Sequence, residues 1–278
     1  PDTLEYLTGI KVYNLGVSGE TSNEIALRQG GIKMYVDNTF EVGYDDSVEV
    51  SIVDEYGNPV YMADFSAYGY VEPHEPDVVY INDDMFKITG TEETGLYICR
   101  YSETEVGGDA FTTVYEGTQV TTKASYERKG DILILEIGSN GGWDNYRQLI
   151  SQYDAMIQNA GCDYYIIVGD TDDPGTSIAD TSQGFCNEDG TYIGVGDTAW
   201  EATLSEAYGE HFINMRTYLI ENGLSDAGLR ATNADYRGFR RGRISKQLRS
   251  DWTHFNSYGY YAKGLAIYEK GVELGYWK

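Results

Sequence analysis

The chain has few basic residues, few cysteines and histidines, and no long apolar stretches. Its 278 residues contain 20 lysines and arginines against 45 aspartates and glutamates, which gives a net charge of −25. A surface of this charge repels a phosphate backbone, so we expect no nucleic-acid partner. No apolar run reaches the length of a membrane span, and we therefore expect no membrane partner.

Metal-binding patterns are also lacking. Cys99, Cys162 and Cys186 do not have the spacing of a zinc motif, and either a Cys162–Cys186 disulfide or unpaired thiols would fit their positions. The stretch "GDTDDPG" at 169–175 is rich in carboxylates but lacks the spacing of a calcium loop, and we interpret it as a solvated turn. The sequence thus predicts no metal and no cofactor.

What is abundant describes a folded, acidic protein. The chain has 33 glycines and 26 tyrosines, and 41% of its residues are hydrophobic. With few lysines, this composition favours an exported bacterial protein, secreted or at the cell surface. One basic stretch, "YRGFRRGRISKQLRSD" at 236–251, interrupts the acidic pattern. It either holds an anionic group of a substrate or pairs with acidic neighbours in the fold.

Strands alternate with helices in two parts of the chain. Residues 1–11 and the run "TSNEIALRQGG" have the proline, capping and glycine signals of helices, and the segment starting at Val12 between them has the pattern of a strand. After residue 130, "DILILEIG" and "DYYIIVGDT" are typical of buried parallel strands, and each is followed by a helical pattern. The first of these helical patterns, "DNYRQLISQYDAMIQNAG", ends at Gly161. Residues 1–31 and 130–278 are therefore predicted to form one parallel α/β domain.

The intervening residues, 32–129, have a different pattern. Short runs such as "SVEVSIVDEYGNPVYMADF", "MFKITGT" and "GLYICRYSE" are rich in β-branched and aromatic residues and are separated by turn residues. This pattern predicts an antiparallel β-rich domain inserted into the α/β domain.

Three loops of the predicted α/β domain carry candidate functional groups. "NLGVSGETS" offers the backbone amide of Gly19, "IGSNGGW" offers the side-chain amide of Asn140, and "DWTHFN" offers His254 three residues after Asp251. Two amide donors and a histidine oriented by an aspartate are the parts of an acyl-transfer site. Trp143 either forms an apolar wall beside a bound acyl or sugar group or belongs to the core.

Together, "VYNLGVSGETS", "ILILEIGSNGGW" and "DWTHFNSYGYYAKG" resemble the SGNH hydrolase (GDSL esterase/lipase) family. The resemblance implies a flavodoxin-like three-layer α/β/α parallel sheet and hydrolysis of esters without a metal. It implies that Gly19 and Asn140 are oxyanion donors, that His254 is the general base and that Asp251 orients it.

The chain departs from the family pattern at the nucleophile. The family's G-D-S block precedes the first helix, and neither Thr3 in "PDTL" nor Ser18 beside Gly19 fits that position. We expect the nucleophilic serine and its strand to lie in a separate N-terminal segment outside the 278 residues.

Two functions follow from these expectations. The first is an SGNH-type serine esterase that cleaves small acyl esters such as acetyl esters, with carbohydrate esters as the favoured substrates. The alternative is a non-catalytic surface or carbohydrate-binding protein on a hydrolase-like scaffold, in which the aromatic β insert carries the function.

Overall fold

A computed structural model of the protein describes residues 1–43, 46–61, 78–101, 111–174 and 197–278. The chain divides into two compact units. One consists of residues 1–13, 132–150 and 164–278, and we call it the α/β unit. The other consists of residues 14–131 and 151–163, and we call it the β unit.

The elements of the described ranges are numbered in chain order. The helices are α1 (Asp2–Thr8), α2 (Ser22–Gln29), α3 (Lys123–Glu127), α4 (Tyr146–Ala160), α5 (Ala199–Tyr208), α6 (Met215–Glu221), α7 (Gly223–Asp226), α8 (Asn233–Phe239) and α9 (Ser257–Glu273). The strands are β1 (Met34–Val36), β2 (Phe40–Val42), β3 (Val48–Val50), β4 (Ile52–Asp54), β5 (Val78–Ile81), β6 (Asp84–Thr91), β7 (Gly95–Arg100), β8 (Thr112–Val114), β9 (Gln119–Thr122), β10 (Leu133–Leu135), β11 (Tyr165–Val168) and β12 (Phe212–Ile213).

The β unit is built around a seven-stranded sheet with the order β3-β7-β6-β5-β9-β1-β4, in which the pairings are antiparallel. The hairpin between β5 and β6 turns at Asn82 and Asp83, whose φ angles are 53° and 67°. Asparagine and aspartate tolerate this left-handed conformation, which a two-residue hairpin turn requires. Val79, Phe86 and Ile88 on the paired strands are fully buried, so one face of the hairpin contributes to the core.

The α/β unit contains a three-stranded parallel sheet with the order β10-β11-β12. Ile166 and Val168 of β11 belong to a buried cluster with Leu219 of α6, Leu248, and Ala262 of α9. The small alanine lets helix α9 pack closely against the other members of this core. The loops after β10 and β11 therefore start from strands that lie against this buried cluster, which we call the packed base of the α/β unit.

The prediction of a flavodoxin-like fold is wrong. The largest sheet of the described residues is the antiparallel sheet of seven strands, and the parallel sheet has only three. The strand expected from Val12 does not form. The backbone N–H of Val12 donates to Glu5 Oε2 at 2.9 Å instead of to a neighbouring strand, and the next residue, Tyr13, is exposed. An apolar run shows that a segment favours an extended conformation, but its pairing partner is set by distant parts of the chain.

Several helix predictions are confirmed. Helix α1 ends at Gly9, which has a φ of 68°, and α2 begins with a capping box between Thr21 and Glu24. Helix α4 stops before Gly161, whose φ is 64°. These signals act within one turn of the chain, so the sequence alone carries them. In the described ranges, no helix is long and apolar enough to cross a lipid bilayer.

Candidate active site

A closed turn carries His254 at the start of helix α9. Ser250 N donates to His254 O at 2.9 Å, and Arg249 pairs with Phe255 in an isolated antiparallel bridge. The Asn256 side chain accepts from the first backbone N–H groups of α9 at 3.0 and 3.2 Å, and its Nδ2 donates to Arg249 O at 3.2 Å. One side chain thus caps the helix and ties its start to the turn.

Asp251 and His254 form a hydrogen-bonded pair within this turn. Asp251 Oδ1 accepts from the backbone N–H of His254 at 2.7 Å and of Thr253 at 2.9 Å, and Asp251 Oδ2 lies 2.8 Å from His254 Nδ1. These bonds, the His254 backbone N–H first among them, lower the pKa of Asp251 to about 2. The carboxylate is therefore ionised at neutral pH and can only accept, so Nδ1 carries the proton of the neutral imidazole.

This tautomer leaves His254 Nε2 with a lone pair. Nε2 makes no hydrogen bond to any residue that the structure describes, and the His254 side chain is 65% exposed. A histidine with Nδ1 held by a carboxylate and Nε2 open to solvent has the arrangement of a general base.

Asn140 lies in a tight turn just after β10. Gly141 N donates to Gly138 O at 3.0 Å, and the indole of Trp143 donates to the same carbonyl at 3.0 Å. Gly138 has a φ of 106°, and a Cβ atom there would lie 2.9 Å from the Trp200 ring. Position 138 therefore requires a glycine, which leaves room for the indole of Trp143 to bond to the turn. The Asn140 residue itself is exposed to solvent.

Trp143 is half-buried. Its ring lies 5.7 Å from that of Trp200 and 5.4 Å from that of Tyr146, measured between centroids. Because its N–H is already bonded to Gly138, the side chain helps to build the turn.

Gly19 belongs to the β unit, whereas the other three predicted catalytic residues belong to the α/β unit. Its φ of 84° is one that glycine adopts readily, in a turn closed by Glu20 N donating to Val17 O at 3.5 Å. The buried Arg28 side chain holds this loop. Its Nη1 donates to Leu15 O at 2.7 Å and its Nε donates to Glu20 Oε1 at 2.9 Å.

The structure therefore brings Asp251 and His254 into contact and places Asn140 in the same compact unit. The loop after β11 is hydrogen-bonded both to the turn that carries His254 and to the turn that carries Asn140. Arg249 donates to Thr253 O at 3.0 Å and also to Thr171 O, so the histidine turn is tied to that loop. Burial raises the pKa of Asp172, and the nearby His254 acts in the opposite direction and lowers it.

Sequence reasoning missed the acidic loop after β11. The interpretation of 169–175 as a solvated turn fails for its described part, residues 169–174, which are buried or half-buried throughout. Burial, followed by the charge of Asp172, raises the pKa of Asp170 to about 7. Burial also raises the pKa of Asp172. The sequence signal that could have identified this loop is its position. A carboxyl group directly after a buried parallel strand lies at the edge of the sheet where functional groups are usually found.

The basic stretch contributes to the same loop. Arg243 Nε lies 3.5 Å from Asp173 Oδ2, and Arg249 Nη2 lies 4.0 Å from Asp173 Oδ1. Two arginines of the stretch thus pair with one acidic neighbour. Cys186 lies outside the described residues, so the disulfide remains a prediction. Among the described residues, no group of three or more histidine, cysteine or acidic side chains could hold a metal ion.

No protein-family model, no curated protein and no solved structure matches the chain. The functional proposal therefore depends on the residues themselves and on their geometry.

Proposed function

We propose that the protein is a serine esterase of SGNH type, in which His254, oriented by Asp251, is the general base. The single observation that carries the proposal is the hydrogen-bonded pair itself. Asp251 is fixed by two backbone N–H groups and contacts His254 Nδ1 at 2.8 Å, which leaves Nε2 facing solvent. The nucleophile in this proposal is a serine from a segment outside the 278 residues, as the sequence predicts.

The reaction takes two acyl-transfer steps. The serine Oγ attacks the ester carbonyl carbon while its proton passes to His254 Nε2, and the Asn140 amide donates to the oxyanion. Collapse of the tetrahedral intermediate breaks the ester C–O bond, and the alcohol leaves with the proton from His254. Water then attacks the acyl-enzyme with the same base, and the acid is released. Gly19 as a second oxyanion donor stays a prediction from the sequence.

Exposed aromatic side chains near the base favour a carbohydrate ester as the substrate. Trp252 lies between Asp251 and His254 in the same turn and is 72% exposed, and Tyr258 at the start of α9 is 49% exposed. The Trp252 backbone carbonyl accepts from Arg249 at 3.4 Å, within the hydrogen-bonded turn. A flat, exposed apolar ring suits contact with the C–H face of a sugar ring, while the acidic protein would repel anionic substrates.

A fluorophosphonate probe that traps activated serines tests the proposal. We expect the protein to be labelled, and mass spectrometry to place the label on a serine outside residues 1–278. We expect His254→Ala to lose labelling, because the serine is no longer deprotonated. A folded protein that is not labelled, or a label that His254→Ala leaves unchanged, would overturn the esterase proposal.

A non-catalytic carbohydrate-binding protein is the second candidate, and exposed aromatics of the β unit favour it. Phe111 and Tyr115, which flank strand β8, are 63% and 65% exposed. In this case Tyr115→Ala would weaken retention on insoluble polysaccharides, whereas His254→Ala would leave retention unchanged. Ester turnover that depends on His254 would exclude a purely binding role.

A further inference from the structure

A half-buried hydrogen bond joins the loops that follow β10 and β11. Ser139 Oγ donates to Asp170 Oδ1 at 2.8 Å, and Asp172 N donates to Asp170 Oδ2 at 3.3 Å. Strands β10 and β11 are parallel neighbours, with Leu135 opposite Ile167. The bond therefore links two loops at the same edge of the sheet, directly above the packed base of the α/β unit.

Ser139 is the residue before Asn140 in the turn that begins at Gly138. Among the residues that the structure describes, Asp170 is the partner of the Ser139 hydroxyl. The backbone bond from Gly141 to Gly138 closes the turn within itself. The bond between Ser139 and Asp170 ties the turn to the loop after β11.

We propose that Asp170 is a positioning residue that acts through Ser139 to hold the Asn140 amide in place, and that its neutral form is the active one. The inference rests on the ester hydrolysis proposed above. A neutral carboxyl group accepts the Ser139 hydrogen bond without adding charge. An ionised Asp170 carboxylate is a negative charge bonded to the residue before Asn140, and this charge opposes the negative charge that develops on the oxyanion.

The groups around Asp170 make the ionised form unfavourable near neutral pH. Burial raises the pKa of Asp170 first, the charges of Asp172 and Glu136 raise it further, and the bonds from Ser139 and the Asp172 N–H oppose them, with a result of about 7. Glu136 is itself paired with Lys263. Asp172 also faces Arg249, Asp173 and His254. The carboxyl group thus changes its charge within the physiological range.

Asp170→Asn separates charge from geometry, because the amide oxygen can still accept from Ser139 but cannot ionise. With p-nitrophenyl acetate as the substrate, we expect kcat/KM of the wild-type protein to contain a decline centred near pH 7. The variant should keep its activity at pH 6 within about twofold and lack that decline. Asp226→Asn removes another carboxyl of the α/β unit whose pKa is raised by burial, and it should leave the profile unchanged.

Ser139→Ala tests the positioning step directly. We expect kcat to fall by about tenfold or more with KM nearly unchanged, because the amide is misplaced only for the oxyanion. Asp170→Ala should behave similarly, and circular dichroism would establish that both variants are folded. A kcat equal to that of the wild type in Ser139→Ala, or an unchanged pH profile in Asp170→Asn, would overturn the inference.

A structural readout makes the test independent of turnover. The Asn140 side-chain NH₂ resonance, assigned by its loss in Asn140→Ala, should shift with a midpoint near pH 7 in the wild type and not in Asp170→Asn. A resonance that does not respond to Asp170 would refute the positioning role even if the enzyme is active. If turnover does not depend on His254 while the resonance still responds, the esterase proposal fails and the coupling of the two loops stands.

Discussion

Asparagine has nearly the same shape as aspartate, so Asp251→Asn changes the hydrogen bonding to His254 while leaving the positions of the atoms almost unchanged. The hydrogen bonds of the turn determine how the new amide group is oriented. Both backbone N–H groups of the turn, from Thr253 and His254, donate to Oδ1. The amide oxygen must keep that place, because an NH₂ group there would face two donors. The amide NH₂ therefore takes the place of Oδ2, 2.8 Å from Nδ1. It donates to Nδ1, which moves the imidazole proton to Nε2.

A histidine protonated at Nε2 cannot accept a proton from the nucleophile. The variant also loses the carboxylate that stabilises the imidazolium formed during the reaction. We expect kcat to fall by about 10²- to 10⁴-fold, with a much smaller change in KM, because the imidazole keeps its place while its tautomer is wrong. The melting temperature should change little, since Asp251 is about half exposed.

Steady-state hydrolysis of p-nitrophenyl acetate measures the effect, with Glu206→Gln as the control. Glu206 is an exposed residue of α5 in the same unit, so its variant removes one negative charge away from the turn. An Asp251→Asn protein with a kcat within about threefold of the wild type would show that His254 does not act as a base in this tautomer, and the argument would fail.

Three further predictions concern stability and binding. The pKa of Asp170 is higher in the folded protein than in the unfolded chain, so above about pH 4 the unfolded chain loses a proton that the folded protein keeps. The free energy of unfolding should therefore fall between about pH 4 and pH 7. In urea denaturation, Asp170→Asn should then be more stable than the wild type by about 2–4 kcal/mol at pH 8 and equally stable at pH 3, and equal stability at both pH values would contradict the raised pKa of Asp170. Arg28→Ala removes the buried arginine that pairs with the buried Glu20 and should cost about 3–5 kcal/mol in the same assay, while the double variant with Glu20→Gln recovers part of it; equal stability of the single variant and the wild type would contradict this. Trp252→Ala should raise KM for an acetylated oligosaccharide severalfold without changing KM for p-nitrophenyl acetate, and equal changes for both substrates would exclude a sugar contact.

Local signals in the sequence predicted local structure. The Thr21–Glu24 capping box and the glycine after α4 were readable because each acts within a few residues. The spacing of Asp251 and His254 likewise predicted their contact, since three residues of a turn set that distance. These features need no knowledge of the rest of the fold.

Features that depend on distant parts of the chain could not be read in this way. The segment at Val12 has strand-like composition, yet its N–H bonds to Glu5. Asp170 stands in a hydrophilic stretch, and its hydrogen bond with Ser139 joins it to a residue 31 positions earlier in the chain. Strand pairing and carboxyl burial are both tertiary properties, and this is why the fold class and the acidic loop were mispredicted.

The Asn256 side chain, which caps α9 and also binds the carbonyl of Arg249, has a consequence for motion. When the turn that carries His254 opens, the bond from Asn256 Nδ2 to Arg249 breaks, and the side chain that loses it is also the cap of a helix that packs into the core. Amide hydrogen exchange at Ser250 and at the first turn of α9 should therefore proceed with similar protection, as one cooperative opening unit. A solvent-exposed histidine would then open together with the first turn of the helix that follows it.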